Sequence, residues 1–286
     1  MPKQIHLQQR TPEWMAWRKN KISASMIATI MGLNPKKSPL MLYNQLMNDQ
    51  SEEVNAYMQK GIDLEPAARQ RAEIEFGYKY PEACFEHSEY PYFIASLDGY
   101  NADAKYKAVE LKVPQANAHH SAKLGVVPSY NYPQLQWQCY ICDLDQIMYV
   151  SYQDDMDVEF ICVKRDDAFI AKAVDAAETF RKCLIRYIEP EPMDMDLLNV
   201  DDQETVQFAS ERSRIQNDIK ALEERKDAID AHLKAMCGNK SALIGGKYRF
   251  VKFSRKGNVD VNLLAKDANV DLEKYRKPNF DVWRFT

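Results

Sequence analysis

A chain of 286 residues, 45% of them hydrophobic and 16 of them tyrosine, can bury a substantial core, either as one large domain or as one domain with an appendage. Its net charge of −4 argues against a protein that coats DNA over its whole surface, yet allows a local basic channel in an acidic exterior. No apolar run approaches the roughly 20 residues of a membrane span, and the opening residues lack a signal peptide's apolar segment, so a cytoplasmic protein is expected.

The first helix is expected after Thr11, an effective N-cap, with Pro12 at the first helical position. Trp14 and Trp17 share its apolar face. A second helix is expected after Ser23 or Ser25, with Met26, Ile27 and Ile30 inward and Gly32 ending it. Its N-terminus would offer amides to a phosphate, and Arg18 would add a bidentate fork. A capped helix with a surface arginine is the plainer reading of these residues alone. Ser38-Pro39 opens another helix with Leu40, Leu42, Tyr43 and Leu46 on its apolar face, and Asp49 to Glu53 is a polar break. Residues 59–77 read as a helix carrying Glu65, with Pro66 either starting it or distorting it at Glu65. There Glu65 reads as a solvated acid, and Glu73 and Glu75 as surface charges.

Tyr78 to Tyr80 and Tyr90 to Ala95 read as two strands of an antiparallel arm that delivers Asp98 beside Gly99. Ala108 to Val113 reads as a strand ended by Pro114. The side-chain period of two puts Glu110 and Lys112 on one face. Two carboxylates and an amine converging at one point are suited to metal-assisted phosphodiester hydrolysis. Hard oxygens hold Mg²⁺, the metal stabilises charge on phosphate and activates a water, and the lysine positions or helps deprotonate it. An edge strand with a solvated acid–base pair is the plainer reading.

The run Gln115 to Gly125 holds His119 and His120, which read as loop or DNA-facing residues, and Lys123, which reads as a phosphate contact. Pro133 starts a helix whose Leu135, Cys139 and Cys142 can face the core. Gln134 and Gln138 are one turn apart on it, and Gln136 lies off that line. Cys139-x-x-Cys142 has ligand-like spacing but no second pair nearby, which leaves buried, reduced thiols. Ile147 to Tyr152 and Val158 to Val163 alternate as two closing strands.

Asp98…Glu110-x-Lys112 resembles the Asp…(Asp/Glu)-x-Lys core of restriction-endonuclease-like nucleases. The run from Arg10 to about Asp166 resembles the YqaJ-type viral recombinase family, whose best-known relative is phage lambda exonuclease. The resemblance implies an α/β fold, a restriction-endonuclease-like mixed central sheet flanked by helices. A linker at Glu189 to Pro192 ends the expected nuclease domain, residues 1–190, and a C-terminal helical and hairpin extension over 191–286 lies beyond the match. By resemblance, Asp98, Glu110 and the Leu111 carbonyl bind Mg²⁺, with Mn²⁺ able to substitute. Glu65, within the matching Gly61…Glu65…Ala68-Arg69, completes the metal site. Lys112 and a glutamine of the Gln-x-Gln motif orient or activate the water, Gln136 being the first choice. Gln134, the second, is grouped with the DNA contacts. Arg18 and Ser25, seven residues apart, match the pair that holds the 5′-phosphate. The implied activity is a 5′-to-3′ exonuclease on ends of linear double-stranded DNA. The implied setting is a phage or prophage protein in a bacterial host, a homo-oligomer (a trimer by resemblance) working with a single-strand-annealing protein. An endonuclease of the same fold and a metal-free DNA-binding module are the rivals.

From Asp166 the pattern is helical, with a stripe from Phe169 to Tyr187, and Glu189 to Pro192 reads as a linker. Residues 204–237 read as a long charged helix in which Ile215, Ile219, Leu222, Lys226, Ile229 and Leu233 approximate a heptad seam. A small hairpin follows around Gly245-Gly246, then a helix over Asn262 to Ala268 and an aromatic tail. Lys247, Arg249, Lys252, Arg255 and Lys256 form a basic strand with interleaved aromatics, read as a DNA contact or as a solvated face.

Overall fold

The computed structural model describes residues 2–50, 55–238, 240–252 and 264. The chain divides into two units, Met1–Leu197 and Leu198–Thr286. Caps and turns set most boundaries in the first. After β1 (Lys3–Ile5), the Thr11 hydroxyl accepts from the Trp14 amide and starts α1 (Pro12–Arg18). β2 (Ile22–Ser23) leads into a 3₁₀ turn, Ala24–Met26, and α2 (Ile27–Ile30). The expected second helix is thus a single turn on a tighter one, too short to supply a helix-end anion site. Ser38 caps α3 (Pro39–Met47), which buries Leu42 and Tyr43. α4 (Ala56–Phe76) starts at an Asn55 cap and runs through Pro66, ending at Gly77 with φ 72°. Pro66 therefore neither begins the helix nor breaks it.

The remaining elements are β3 (Ala83–Glu86), β4 (Phe93–Leu97), β5 (Gly99–Tyr100), β6 (Ala108–Lys112), α5 (Ala116–Lys123), α6 (Tyr132–Cys142), β7 (Gln146–Asp154), β8 (Asp157–Lys164) and α7 (Asp167–Arg186). The first arm strand lies at 83–86 instead of 78–80. His119, expected as a loop or DNA-facing residue, is instead buried on α5. His119 Nδ1 lies 2.7 Å from Ser151 Oγ and its Nε2 lies 2.9 Å from Asp157 Oδ1, so it clamps α5 to the β7–β8 hairpin.

The strands form two mixed four-stranded sheets, β1-β3-β4-β2 and β5-β6-β7-β8, where one central sheet was expected. In each, one neighbouring pair is parallel, β2 with β4 and β6 with β7. Asp98 alone separates β4 from β5, so the backbone passes from one sheet to the other at that residue. Only glycine fits next to it. A Cβ on Gly99 would lie 2.6 Å from Tyr80 Cβ and 2.6 Å from Val109 Cγ2.

The period of two sorts the second sheet's side chains. Val109, Leu111, Met148 and Val150 pack with Ala68 and Ala72 of α4. Ala108, Ile147 and Tyr149 pack with Leu135, Trp137 and Cys139 of α6 and with Ala173, Ala177 and Phe180 of α7. α6 is enclosed on nearly every side. Trp137 is fully buried and its indole donates to the Ile94 carbonyl at 3.2 Å, so truncating it to alanine would cost about 3–5 kcal/mol. Cys139 and Cys142 are buried thiols in this helix, and all six cysteines are free. The linker residues Met193–Asp196 stay with the first unit, because the Ser38 hydroxyl donates to Asp196 Oδ1 at 2.6 Å.

In the second unit, Asp202 caps α8 (Gln203–Met236), which buries no residue. Phe208, Ile215, Leu222, Ile229 and Met236 recur along it every seven residues, all exposed. β9 (Ala242–Ile244) and β10 (Tyr248–Phe250) pair as an antiparallel hairpin. The expected helix over Asn262 to Ala268, apart from Leu264, lies outside the described residues, as do the aromatic tail, Arg255 and Lys256. Among the described residues, no helix is long and apolar enough to cross a membrane.

Candidate active site

β6 presents Glu110 and Lys112 on one face, as the strand period requires, and that face meets α6. Glu110 is 1% exposed. Its Oε1 accepts from Lys112 Nζ and from Gln134 Nε2, each at 2.6 Å, and its Oε2 accepts from Gln138 Nε2 at 2.6 Å. Asp98 arrives from the sheet junction. The Leu111 amide donates to its Oδ2 at 2.8 Å, and Arg69 donates to its carbonyl oxygen. Burial, and next the nearby Glu110, push the Asp98 carboxyl up to about 8, against the opposing pull of Lys112. Lys112 is also shifted up, for the opposite reason: burial disfavours its charge, but the Glu110 and Asp98 carboxylates outweigh that and favour the ammonium.

Glu65 is brought alongside by α4, yet its oxygens are taken by Arg10 and Arg69, the latter at 2.8 Å. Arg69 also reaches Glu82 at 3.5 Å. Four carboxylates, Glu65, Glu82, Asp98 and Glu110, thus share the region with three cations, Arg10, Arg69 and Lys112. Among the described residues no three Asp, Glu, His or Cys side chains stand close enough to enclose an ion. Mg²⁺ does not need three, since it commonly takes one or two carboxylates and keeps several waters. Asp98 and Glu110 supply hard oxygens and have a single lysine between two acids, so the donor set fits such a cation. Gln138 Oε1, buried and without a partner among the described residues, is one further acceptor at the site.

Gln136 is turned away from this centre, which corrects the expectation placed on it. Its Nε2 donates to the Lys164 carbonyl at 2.8 Å and its Oε1 accepts from the Asp166 amide at 2.8 Å. It ties α6 to the start of α7. The glutamines that face Glu110 are Gln134 and Gln138, four residues apart and hence on one side of the helix. Gln138 had no assigned role in the sequence reading, though its spacing from Gln134 was the available signal. Leu111 touches the site through its amide, which holds Asp98.

Arg18 and Ser25 do come together, with Ser23 as a third member. Arg18 Nη2 donates to Ser23 Oγ at 3.0 Å and to Ser25 Oγ at 3.4 Å, and the guanidinium lies 4.3 Å from the Trp14 ring centroid. Burial lowers the Arg18 pKa, and among the described residues it has hydroxyl partners but no carboxylate. An arginine so placed can accept an anion. Trp14 Nε1 donates to Ser96 Oγ at 3.2 Å, and Gln138 Nε2 reaches the Ser96 carbonyl at 3.2 Å. Ser96 thus connects the arginine pocket to the carboxylates.

Residues 13–145 match the family model of the YqaJ-like viral recombinase domain. The alkaline exonuclease of Laribacter hongkongensis is 31% identical over 62% of this chain and 94% of its own, with a TM-score of 0.53. The chain belongs to the YqaJ-like viral recombinase family. The structure of the Laribacter enzyme in complex with dAMP matches this YqaJ protein with the same figures. A phage-related exonuclease from Haemophilus somnus 129PT is 20% identical over 59% of this chain and 96% of its own, with a TM-score of 0.43. No curated protein sequence matches.

Proposed function

We propose that this YqaJ protein is a metal-dependent exonuclease that degrades one strand of linear double-stranded DNA from its 5′ end. The product would carry 3′ single-stranded overhangs for phage-type recombination by strand annealing. The observation that carries this reading is the crowding of Asp98 and Glu110 beside Lys112 at the junction of two sheets. Membership of a family whose solved neighbours are alkaline exonucleases supports it.

Asp98, Glu110 and the Leu111 carbonyl would hold Mg²⁺, or Mn²⁺ in its place, which would supply charge stabilisation at phosphate and a more acidic water. Lys112, kept protonated by its two acidic neighbours, presents an ammonium to the phosphate oxygens and to the attacking water. Gln134 and Gln138 lock the Glu110 carboxylate in one orientation. The Leu111 amide and Arg69 fix Asp98 by side chain and backbone. Glu65 steers Arg10 and Arg69 and acts on Asp98 through its charge. Arg18, Ser23 and Ser25 would bind the terminal 5′-phosphate and so select ends. Double-stranded DNA ends, further copies of the chain in a ring and a phage single-strand-annealing protein are the proposed partners, in the cytoplasm of a bacterial host.

End-labelled linear duplex and closed circular DNA, each with Mg²⁺, test this reading. Release of nucleotides from linear DNA alone is expected. Cutting of closed circles would replace the exonuclease with an endonuclease of the same fold.

A further inference from the structure

The second unit concentrates charge of the opposite sign. From residue 231 to 259 there is no Asp or Glu, against seven Lys and Arg, while the rest of the chain carries a net charge of −11. Four of the seven, Lys240, Lys247, Arg249 and Lys252, lie on or beside the β9–β10 hairpin. None of the four has a carboxylate partner among the described residues. Strand alternation gives the hairpin two different faces. Tyr248 and Phe250 share one with Ala242 and Ile244; Arg249 and Leu243 pair on the other. Tyr248 is 64% exposed, and Lys247 Nζ lies 5.3 Å from its ring centroid.

A solvated strand face does not need an exposed tyrosine with a lysine held beside its ring and further cations without carboxylate partners around it. Exposed rings interleaved with cations on a β surface form a platform for unstacked bases, because rings stack on bases and cations follow the backbone. We infer that the β9–β10 hairpin is a single-stranded nucleic-acid contact, with Tyr248 stacked on a base, Lys247 and Lys252 on the neighbouring phosphates, and Arg249 drawing the backbone from the opposite face. Its ligand would be the strand that a nuclease leaves behind, so the identity of the ligand rests on the proposed function, while the binding itself does not.

The experiment uses the full chain in EDTA, which separates binding from cleavage. Fluorescein-labelled DNA of about 30 nucleotides, single-stranded or duplex, is titrated by anisotropy over a range of salt. Lys247→Gln/Arg249→Gln/Lys252→Gln should weaken single-strand binding about tenfold or more and make its log–log salt slope shallower by about 2. Tyr248→Leu should weaken single-strand binding about tenfold and leave the duplex unchanged. Lys247→Arg/Lys252→Arg, which keeps all three charges, should retain affinity and slope, so that the loss in the glutamine variant is one of charge. Unchanged affinity and slope in the triple glutamine variant overturn the site. Equal loss on duplex and single strand, with no effect of Tyr248→Leu, overturns the single-strand assignment. An Asp98→Asn protein that retains the hairpin-dependent slope separates failure of the nuclease reading from failure of this one.

Discussion

Glu86 and Glu110 are both buried acids on strands of the first unit, and their surroundings assign them opposite roles. Glu86, 7% exposed, accepts from Trp17 Nε1 at 2.7 Å, from Lys21, and from Lys3 at 3.4 Å. Burial raises its pKa, but Lys21 and Trp17 outweigh that and leave it lowered. It is a fastener that ties α1 and β2 to β3. Glu110 has donors too, but it shares a single lysine with Asp98, whose carboxyl is driven up to about 8. Burial alone therefore does not identify a site. A surplus of acid over donor does, because that surplus is stabilised only by a proton or a cation.

The largest expected effect breaks the acidic pair. Asp98→Asn should lower the rate on linear duplex at saturating Mg²⁺ by about a thousandfold or more, corresponding to about 4 kcal/mol of lost transition-state stabilisation. Retained activity would remove Asp98 from the chemistry. The next effect separates the glutamines of α6. Gln138→Leu should cost about 10–100-fold in rate through disorder of Glu110. Gln136→Leu should leave the rate per folded molecule unchanged and lower the urea midpoint, since it strips donors and acceptors from the α7 junction. Equal rate losses in the two variants would contradict the face assignment.

Glu86→Gln should destabilise the fold by about 1–3 kcal/mol in urea and leave turnover at saturating DNA nearly intact. A turnover loss like that of Asp98→Asn would erase the distinction between the two acids. The subtlest effect is the sign of the pH dependence. In EDTA, Asp98 binds its proton near pH 8 when folded and near pH 4 when unfolded. The folded state takes up more protons between those values, so stability falls as pH rises from about 4 to about 8. Glu86, shifted down, gives the reverse: its stabilisation is present above about pH 4.3 and is lost on acidification through its folded pKa. Urea midpoints of wild type and Asp98→Asn at about pH 5.5 and 8.5 should diverge at the higher pH, with the variant the more stable. Parallel curves would contradict the shift.

The strand carrying Glu110 and Lys112 was legible in the sequence because a period of two needs only local residues. The caps at Thr11 and Ser38 were legible for the same reason. What was not legible depended on tertiary partners. Whether Pro66 would open or interrupt a helix turned on the Asn55 cap and the packing of Ala68 and Ala72 against β6 and β7. His119 became helical and buried because Ser151 and Asp157, over 30 residues away, hydrogen-bond its two ring nitrogens. The break into two sheets at Asp98 follows from Gly99 wedged between Tyr80 and Val109, which strand propensity cannot register. The resemblance supplied Arg18 and Ser25 correctly as neighbours but left out Ser23, the nearer hydroxyl.

The central claim is that Asp98 and Glu110 together make a cation site. Diffraction from crystals soaked in Mn²⁺, collected at an energy where manganese scatters anomalously, tests it most directly. The account predicts an anomalous peak within bonding distance of both carboxylates. Well-ordered Asp98 and Glu110 with no peak between them, at a Mn²⁺ concentration that supports cleavage, would contradict it.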